Sequence, residues 1–541
     1  MKIKSATRNT VLVNMNIDPT FPQHESLEAD IIVEQEDCNL VIISDLHLGE
    51  GYLQNRRAYA RAERFFSDEA LRNFLEKIHL ENIELAKSTP PKPLKLIING
   101  DFLDFIRTKS VPDDRERRLF RRYFHRLGLM RREDDFEIQP QENVYGLKTE
   151  PHKSVWKLYR ICQGHPLVFE ALAQFIARGN RLVIIKGNHD LEFFWQAVQE
   201  EFIKLLAANW PAGNNRPRSA QQRYTQIHEH VEFCQRAYIV ENQIYIEHGH
   251  QYHPITRVEK PLLNARELYL PPGSIFNRYL VNAIDHLAPF VTYIRGTFEV
   301  VRALIISHRW RALRLLMRHF PIATKMLLHG HRGVAFTLFV EVFPYLFAIL
   351  YASFALFLPL IWKAYSNWLI QLTGAAGEFL ISRWFLNLTL GIGLFGLLRL
   401  LTQFFSGRNL TFRLKEAFAT ARARITDGTN TDLMDGRGRT EGSSTHQWRN
   451  KISHARQRVK KFLILGHTHQ PTVQPLDENW WYINTGTWIP VIEHGYNPIH
   501  AKITLTFAYF KRRANGTFDF DLRFWNDDKG RSERLVVWEN A

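Results

Sequence analysis

Short apolar segments that contain or lead into histidine, aspartate or asparagine recur along this chain, and they constrain its fold more than any other feature. Three lie early, as CNLVIISDLHL at 38–48, LKLIIN at 94–99 and RLVIIK at 181–186, and KFLILGHTH follows at 461–469. Continuous apolar runs of this length are typical of strands buried on both faces. We therefore expect sheets whose strands end in polar side chains.

The residues between these segments have the spacing of helices or of further strands. Helical patterns occupy 52–87 and much of 107–180. The segment 237–248 alternates like a hairpin, while 480–488 and 500–510 resemble closing strands. Strands interspersed with helices predict an α/β protein whose helices cover its sheets.

Five polar blocks stand at the ends of predicted strands. They are Asp45-Leu46-His47, Gly100-Asp101 with Asp104, Gly187-Asn188-His189-Asp190, His248-Gly249 and Gly466-His467-Thr468-His469. Loops that follow strand ends are where α/β folds gather functional side chains. In DxH and HxH pairs, alternate side chains of an extended backbone point to one side and can converge on one ion. One such pair is a weak signal, but five blocks in this order predict a metal-dependent site.

The residue types in these blocks suit the hydrolysis of phosphate esters. That reaction requires an activated water and neutralised phosphoryl oxygens, and two divalent ions about 3.5–4 Å apart can supply both. Such a pair needs a bridging carboxylate, imidazole ligands and one neutral oxygen ligand, all of which the blocks contain. Manganese, iron and zinc all fit mixed ligands of this kind, and manganese is our preferred assignment.

The order DxH, GDxxD, GNHD, H, GHxH resembles the calcineurin-like metallophosphoesterase superfamily, over residues 38–250 and 455–510. The resemblance implies a two-sheet α/β/β/α sandwich with two divalent metal ions in its active site. It implies these ligands: Asp45, His47 and His469 for the first ion, Asn188, His248 and His467 for the second, and Asp101 as the bridge. It also implies that His189 is the acid, or the charge-stabilising group, that faces the leaving oxygen, and that Asp104 orients His189.

Within that superfamily, the layout is similar to the UDP-diacylglucosamine pyrophosphatases of lipid A synthesis. Those enzymes work at the cytoplasmic face and have an insertion before the GHxH block that accommodates acyl chains. Their best-known branch has arginine where this chain has His189, whereas a second branch with the same activity keeps histidine. The insertion is longer here. The resemblance implies a phosphate or pyrophosphate substrate that is linked to a lipid.

The insertion between the fourth and fifth blocks contains the most apolar part of the chain. Residues 342–362 carry no charge and are long enough to span a bilayer, and 384–398 form a second apolar run. Basic residues on both outer flanks predict a transmembrane hairpin, near 335–362 and 379–403, with the catalytic domain on the cytoplasmic side. Two other interpretations stay open: core helices of a soluble domain, and helices that lie in one leaflet.

These patterns predict four regions. They are a first part of the metallophosphoesterase domain at 1–255, a helical, membrane-associated insertion at 256–426, a flexible linker at 427–447 and a second part of the domain at 448–541.

A net charge of +15 indicates anionic partners, here a membrane lipid bilayer and a phosphate-containing substrate. The arginine-dense stretch 115–132 fits a solvated helix face, a contact with phospholipid headgroups or a clamp for substrate phosphate.

His329 and His331 form a second HxH, but they follow a basic amphipathic stretch, which favours an interfacial role. For His250 and His253 a structural role is favoured, and the alternative is that they support the metal ligands or contact the substrate. Nucleic acid is disfavoured because we find no basic-aromatic stacking pattern.

The expected function is therefore a dinuclear-metal hydrolase of phosphate ester or pyrophosphate bonds in a membrane-borne, lipid-linked substrate. The alternative is a membrane-anchored phosphatase or phosphodiesterase that acts on soluble nucleotides or phosphoproteins. Dependence of the activity on detergent separates these two. A membrane scaffold with a structural metal site is a third hypothesis, and mutation of Asp101 would leave its role intact.

Overall fold

A computed structural model describes much of the chain. The described residues are 31–34, 37–86, 92–130, 136–210, 219–284 except 254, 259 and 265, 413–426, 460–492 and 501–535, with scattered positions between 311 and 371. The predicted transmembrane hairpin, the predicted linker and His329 with His331 lie outside them. Among the described residues, no helix has both the length and the apolar character needed to cross a membrane.

The secondary structure is mixed. The strands are β1 (Ile31–Glu34), β2 (Asn39–Ile43), β3 (Tyr52–Leu53), β4 (Ala58–Tyr59), β5 (Leu94–Asn99), β6 (Arg181–Ile185), β7 (Val231–Cys234), β8 (Ala237–Val240), β9 (Ile244–Glu247), β10 (Leu262–Asn264), β11 (Glu267–Leu268), β12 (Lys461–Leu465), β13 (Thr472–Pro475), β14 (Trp480–Asn484), β15 (Thr506–Arg512), β16 (Phe518–Asn526) and β17 (Arg531–Arg534). The α-helices are α1 (Asp68–Ala86), α2 (Asp114–Arg126), α3 (Glu142–Tyr145), α4 (Pro151–Gly164), α5 (Pro166–Ala177), α6 (Gln196–Ala208), α7 (Ala220–His230), α8 (Pro272–Phe276), α9 (Asn282–Ile284) and α10 (Leu414–Thr426). Shorter helical turns lie at Leu191–Phe194, His250–Tyr252 and Asn277–Val281.

Two large sheets organise the described residues. One has seven strands in the order β17-β16-β15-β2-β5-β6-β7, of which β2, β5, β6 and β7 run parallel. The other has six strands in the order β1-β8-β9-β12-β14-β13, with β12 parallel to both of its neighbours. The prediction of an α/β protein with two sheets and covering helices is confirmed at this level.

Successive side chains of a strand point to opposite faces of the sheet, so the seven-stranded sheet has an apolar layer on each of its faces. In β5, Leu96 and Ile98 join a cluster with side chains of α1 and α4 to α6, while Ile97 points to the opposite face. There it packs in a second cluster with apolar side chains of the six-stranded sheet, such as Ile246 and Ile464. The core therefore has one layer between helices and sheet, and one layer between the two sheets.

The helix predicted over 52–87 is wrong in its first part. Residues 52–59 form a small hairpin from β3 and β4, and α1 begins only at Asp68. The buried carboxylate of Glu63 explains the difference, because it accepts backbone N–H bonds from Gly51 and Phe65 and so replaces helical bonds there.

The chain divides into two compact units. The first comprises 1–252, 256–320 and 413–541, and it contains every residue of the five polar blocks. The second comprises 253–255 and 321–412. The boundaries at 255, 426 and 447 stay predictions.

Candidate metal centre

The five polar blocks meet because their strands are neighbours in the two sheets. β2, β5 and β6 are adjacent and parallel, so the residues that follow them, Asp45, Asp101 and Asn188, leave the sheet at the same edge. In the other sheet β9 and β12 are parallel neighbours, and they deliver His248 and His467. Backbone bonds continue the pairing past the strand ends, as in the 3.1 Å bond from the Asp45 N–H to the Gly100 carbonyl.

The first predicted ligand set is assembled in the structure. His469 Nε2 lies 3.1 Å from Asp45 Oδ1 and 3.2 Å from His47 Nε2. Ligand atoms that lie about 2.1 Å from one ion are about 3–3.5 Å from each other, so these separations fit a shared cation. These three residues can therefore hold one ion.

The second set shares Asp101 with the first. Asp101 Oδ2 lies 3.2 Å from His248 Nε2 and 3.7 Å from His47 Nε2. His467 completes a group with Asp101 and His248 that is able to hold a second ion. One carboxylate oxygen thus lies within reach of imidazoles from both sets, which is the position that a bridging ligand requires.

Asn188 has the features of a neutral oxygen ligand. Its side chain is 2% exposed, and its Oδ1 atom is buried without a hydrogen-bond partner among the described residues. A buried polar atom of this kind costs free energy unless a ligand satisfies it. The donor set as a whole, with imidazoles, carboxylates and one amide oxygen, suits a divalent transition metal.

The backbone of the ligand loops is strained. Among the described residues other than glycine, nine have a positive φ, and five of these nine are predicted ligands. They are Asp45 at 56°, His47 at 51°, Asp101 at 51°, His467 at 67° and His469 at 58°. Each such conformation costs on the order of 1–3 kcal/mol and persists where the surroundings enforce it, commonly at functional sites. The concentration of strain at these positions makes the loops candidates for a functional site, independently of their residue types.

The glycines that precede the ligands allow the loops to approach one another. A Cβ atom at Gly187 would lie 2.2 Å from Asp101 Oδ1, and one at Gly466 would lie 2.6 Å from Asp45 Oδ2. At Gly100, which also has a φ of +78°, a Cβ atom would meet the His248 ring at 2.4 Å. Each distance is far below van der Waals contact, so these positions require glycine for the site to close.

Burial and charge act in opposite directions on the ionisable groups of the site. Burial would raise the pKa of Asp101, but the imidazoles of His248 and His189 hold it well below its usual range. Burial lowers the pKa of His47 to about 4, so this ring is neutral at physiological pH and its lone pair is available to a metal. Asp101 therefore remains ionised in the buried site.

His189 and Asp104 form a pair beside the ligand sets. His189 Nδ1 lies 3.0 Å from Asp104 Oδ1, and the His189 ring packs edge-on against His47 with centroids 4.6 Å apart. Burial would lower the pKa of His189, but the Asp104 carboxylate raises it above its ordinary value. His189 also forms a possible ligand group with His47 and Asp101. The Asp104 contact engages Nδ1 of His189, so Nε2 is the ring nitrogen that remains for another partner.

Two supporting carboxylates have roles that sequence reasoning did not identify. Asp190 accepts backbone N–H bonds from Gly187 at 2.6 Å and from Phe102 at 2.8 Å, so it joins the second and third blocks. Glu63 is buried and accepts N–H bonds from Gly51 and Phe65, and so fixes the loop that follows the first block. The GNHD motif was a signal for Asp190, whereas Glu63 lay in a segment that was predicted to be helical.

The other histidines near the polar blocks, His250 and His253, are not members of the ligand groups described above. His250 is buried, with its ring 5.4 Å from that of His248, and burial lowers its pKa well below the ordinary value. His253 belongs to the second unit. His467 Nε2 lies 3.1 Å from the hydroxyl oxygen of Thr256.

Comparison with known proteins returns no assignment. No model of a protein family matches the chain, and neither a curated protein nor a solved structure matches it.

Proposed function

We propose that this protein is a dinuclear-metal hydrolase of phosphate ester or pyrophosphate bonds. The observation that carries the proposal is the position of Asp101, whose Oδ2 lies within 3.2 Å of His248 and 3.7 Å of His47. A carboxylate within reach of two imidazole sets is the ligand that a two-ion site needs between its ions. The resemblance of the five blocks to the calcineurin-like metallophosphoesterases, and the two packed sheets with helices against one of them, support the finer assignment to that sandwich fold.

The proposal gives each residue a role. The ions, when bound, would supply an activated water and neutralise charge on the phosphoryl oxygens. Asp45, His47 and His469 would hold one ion, and Asn188, His248 and His467 would hold the other, with Asp101 between them. His189 would donate a proton to the leaving oxygen, since Asp104 favours its protonated form and fixes its ring. Manganese is our preferred metal.

A membrane-borne, lipid-linked substrate at the cytoplasmic face is the proposed target. The apolar, arginine-flanked runs of the insertion support this choice. The start of the insertion also adjoins the site, because the Ser274 hydroxyl donates to the Asn188 carbonyl at 3.4 Å and the Asn282 amide donates to the Ile106 carbonyl at 2.9 Å. An insertion that reaches both the bilayer and the metal loops would bring a lipid headgroup to the ions.

The test is hydrolysis by the detergent-solubilised full chain with Mn²⁺. The Asp101→Asn variant should hydrolyse a generic aryl phosphodiester at least about 100-fold more slowly than the native chain. Misplacement of a group that positions the reaction has a cost of about this size. Glu201→Gln is the matched control, because Glu201 is a buried carboxylate on α6 that contacts Tyr123 instead of the predicted ligands. Full activity of Asp101→Asn would refute the two-ion site.

The same preparation tests the substrate. A nucleotide diphosphate-sugar and its diacylated counterpart share the scissile bond and differ in the lipid. Preference for the diacylated compound supports the lipid-linked substrate. Equal or better hydrolysis of the soluble compound would favour a membrane-anchored enzyme that acts on soluble nucleotides.

A further inference from the structure

Helix α2 carries an exposed line of arginines that the metal site does not use. The helix contains six arginines and only two acidic residues, Asp114 and Glu116. Arg115, Arg118 and Arg122 are all exposed and are spaced at i, i+3 and i+7. At about 100° and 1.5 Å per residue, they lie within about 60° of one another around the helix and extend over about 10 Å. We name these three residues the arginine stripe.

The charge of the arginine stripe is not neutralised within the described part of the chain. None of its three guanidinium groups has an ion-pair partner among the described residues. The acidic side chains of the first turn are engaged elsewhere, since Asp113 caps the helix and Asp114 pairs with Arg117. Three exposed guanidinium groups on one side of a helix, without ion-pair partners among the described residues, form a surface suited to several phosphates.

The residues on the opposite face of α2 indicate which class of anionic partner the arginine stripe fits. Its aromatic residues, Phe120, Tyr123 and Phe124, are buried and pack inward, with the Phe120 ring 5.2 Å from that of Tyr159 on α4. None of these three rings therefore accompanies the arginines on the exposed face of α2, and stacking on bases is the usual means of binding single-stranded nucleic acid. A line of arginines without stacking platforms fits the phosphate groups of an anionic lipid surface better.

A short connection links α2 to the metal site, so contact of α2 with a surface would also affect the orientation of the site. Only eight residues separate Asp104 from the Asp113 cap of α2. That connection is held by Glu50, which accepts a bond from the Ser110 hydroxyl at 2.8 Å and follows closely after the first polar block. The orientation of α2 on a surface would therefore set the orientation of the loop that carries Asp104.

We propose that the arginine stripe docks α2 on the anionic phospholipid headgroups of a bilayer and orients the site towards that surface. This inference goes beyond the proposed hydrolysis and does not depend on it. Each basic residue near an anionic surface contributes about 1 kcal/mol, so the docked-to-undocked ratio should change about fivefold per arginine and about 100-fold for all three.

The experiment measures the distance of α2 from the lipid surface in the full chain. The three native cysteines are buried, so a cysteine introduced as Leu119→Cys, beside the arginine stripe, can be labelled selectively with a fluorescent donor. The protein is reconstituted in vesicles that contain a headgroup-labelled acceptor lipid. We expect higher energy transfer with phosphatidylglycerol than with phosphatidylcholine alone, and loss of that difference in R115Q/R118Q/R122Q.

Two control variants separate location, charge and folding. R115K/R118K/R122K keeps the charge and should keep most of the energy transfer. R513Q/K529Q/R531Q removes the same number of charges from an exposed surface where each cation pairs with Asp519 or Glu533, and should change nothing.

Three results would overturn the proposal. One is equal energy transfer in the two lipids for the protein with native arginines. Another is an equal loss in R513Q/K529Q/R531Q, which would reduce the effect to net charge. The third is binding of single-stranded RNA that is tighter than binding to phosphatidylglycerol vesicles and is lost in R115Q/R118Q/R122Q.

Discussion

Replacing Gly187 by alanine should disable the site through a single methyl group. The added Cβ atom would lie 2.2 Å from Asp101 Oδ1 and 2.4 Å from the Asp101 backbone nitrogen, whereas ordinary contact begins at 3.4 Å. The Asp101 side chain and the 187–189 turn must therefore separate by about 1 Å, a displacement that can cost a catalytic site about 100-fold in rate. Asp101 Oδ1 also accepts the His189 N–H at 2.8 Å, so the same shift disturbs the predicted acid.

The assay for Gly187→Ala compares hydrolysis of an aryl phosphodiester, bound metal by mass spectrometry and thermal unfolding. Overpacking of this kind should also destabilise the fold by about 1–3 kcal/mol. Gly179→Ala is the control, because Gly179 has a φ of +84° but nothing lies within 4 Å of its added Cβ atom. It should lose about 1–2 kcal/mol of stability through backbone strain and keep its activity. Unchanged activity and metal content in Gly187→Ala would refute the argument that close approach of the loops builds the site.

Three further predictions concern the acid and the buried charges. His189→Ala should lower turnover by about 100–10,000-fold and spare metal content, and loss of both metals would reassign His189 as a ligand. Burial would lower the pKa of His165, but Glu63 raises it to about 10, so its stabilisation is complete below about pH 6.5 and is lost as the pH rises through 10. Denaturant unfolding of His165→Asn should show a smaller fall in stability across that range, and an unchanged pH profile would contradict the assignment. Lys157→Met should cost about 3–5 kcal/mol in the same assay, because it leaves Glu192, now 2.6 Å from the Lys157 ammonium, buried without a cation. A loss well below that range would show that the pair is not isolated from solvent.

The sheets were predictable because burial on both faces leaves a strong pattern in a strand. LKLIIN became β5 at its predicted bounds, and KFLIL became β12 within the predicted segment. The polar blocks were predictable for a related reason, since each follows directly from a strand that could be recognised. Parallel neighbours then bring Asp45 and Asp101 to one edge of a sheet without further information.

The loops were less predictable because their structure depends on contacts between distant residues. The hairpin at 52–59 was predicted as helix, since the single buried carboxylate that holds this region, Glu63, leaves no periodic pattern. The positive φ values of Asp45 and His467 are equally invisible in the sequence, because both residue types normally adopt other conformations. The glycines of GNHD and GHTH were a visible signal, but only the structure shows which side chain each one approaches.

The number of metal ions in the active protein tests the two-ion site most directly. The measurement is the metal content per chain of the Mn²⁺-loaded full chain, taken with its phosphodiesterase activity on the same sample and repeated with Asp101→Asn. Asp101 stands between the two ligand sets, so for a two-ion site we expect two ions per chain in the active protein and fewer than two, with little activity, in the variant. Full activity with a single ion per chain, or two ions retained without Asp101, would contradict it.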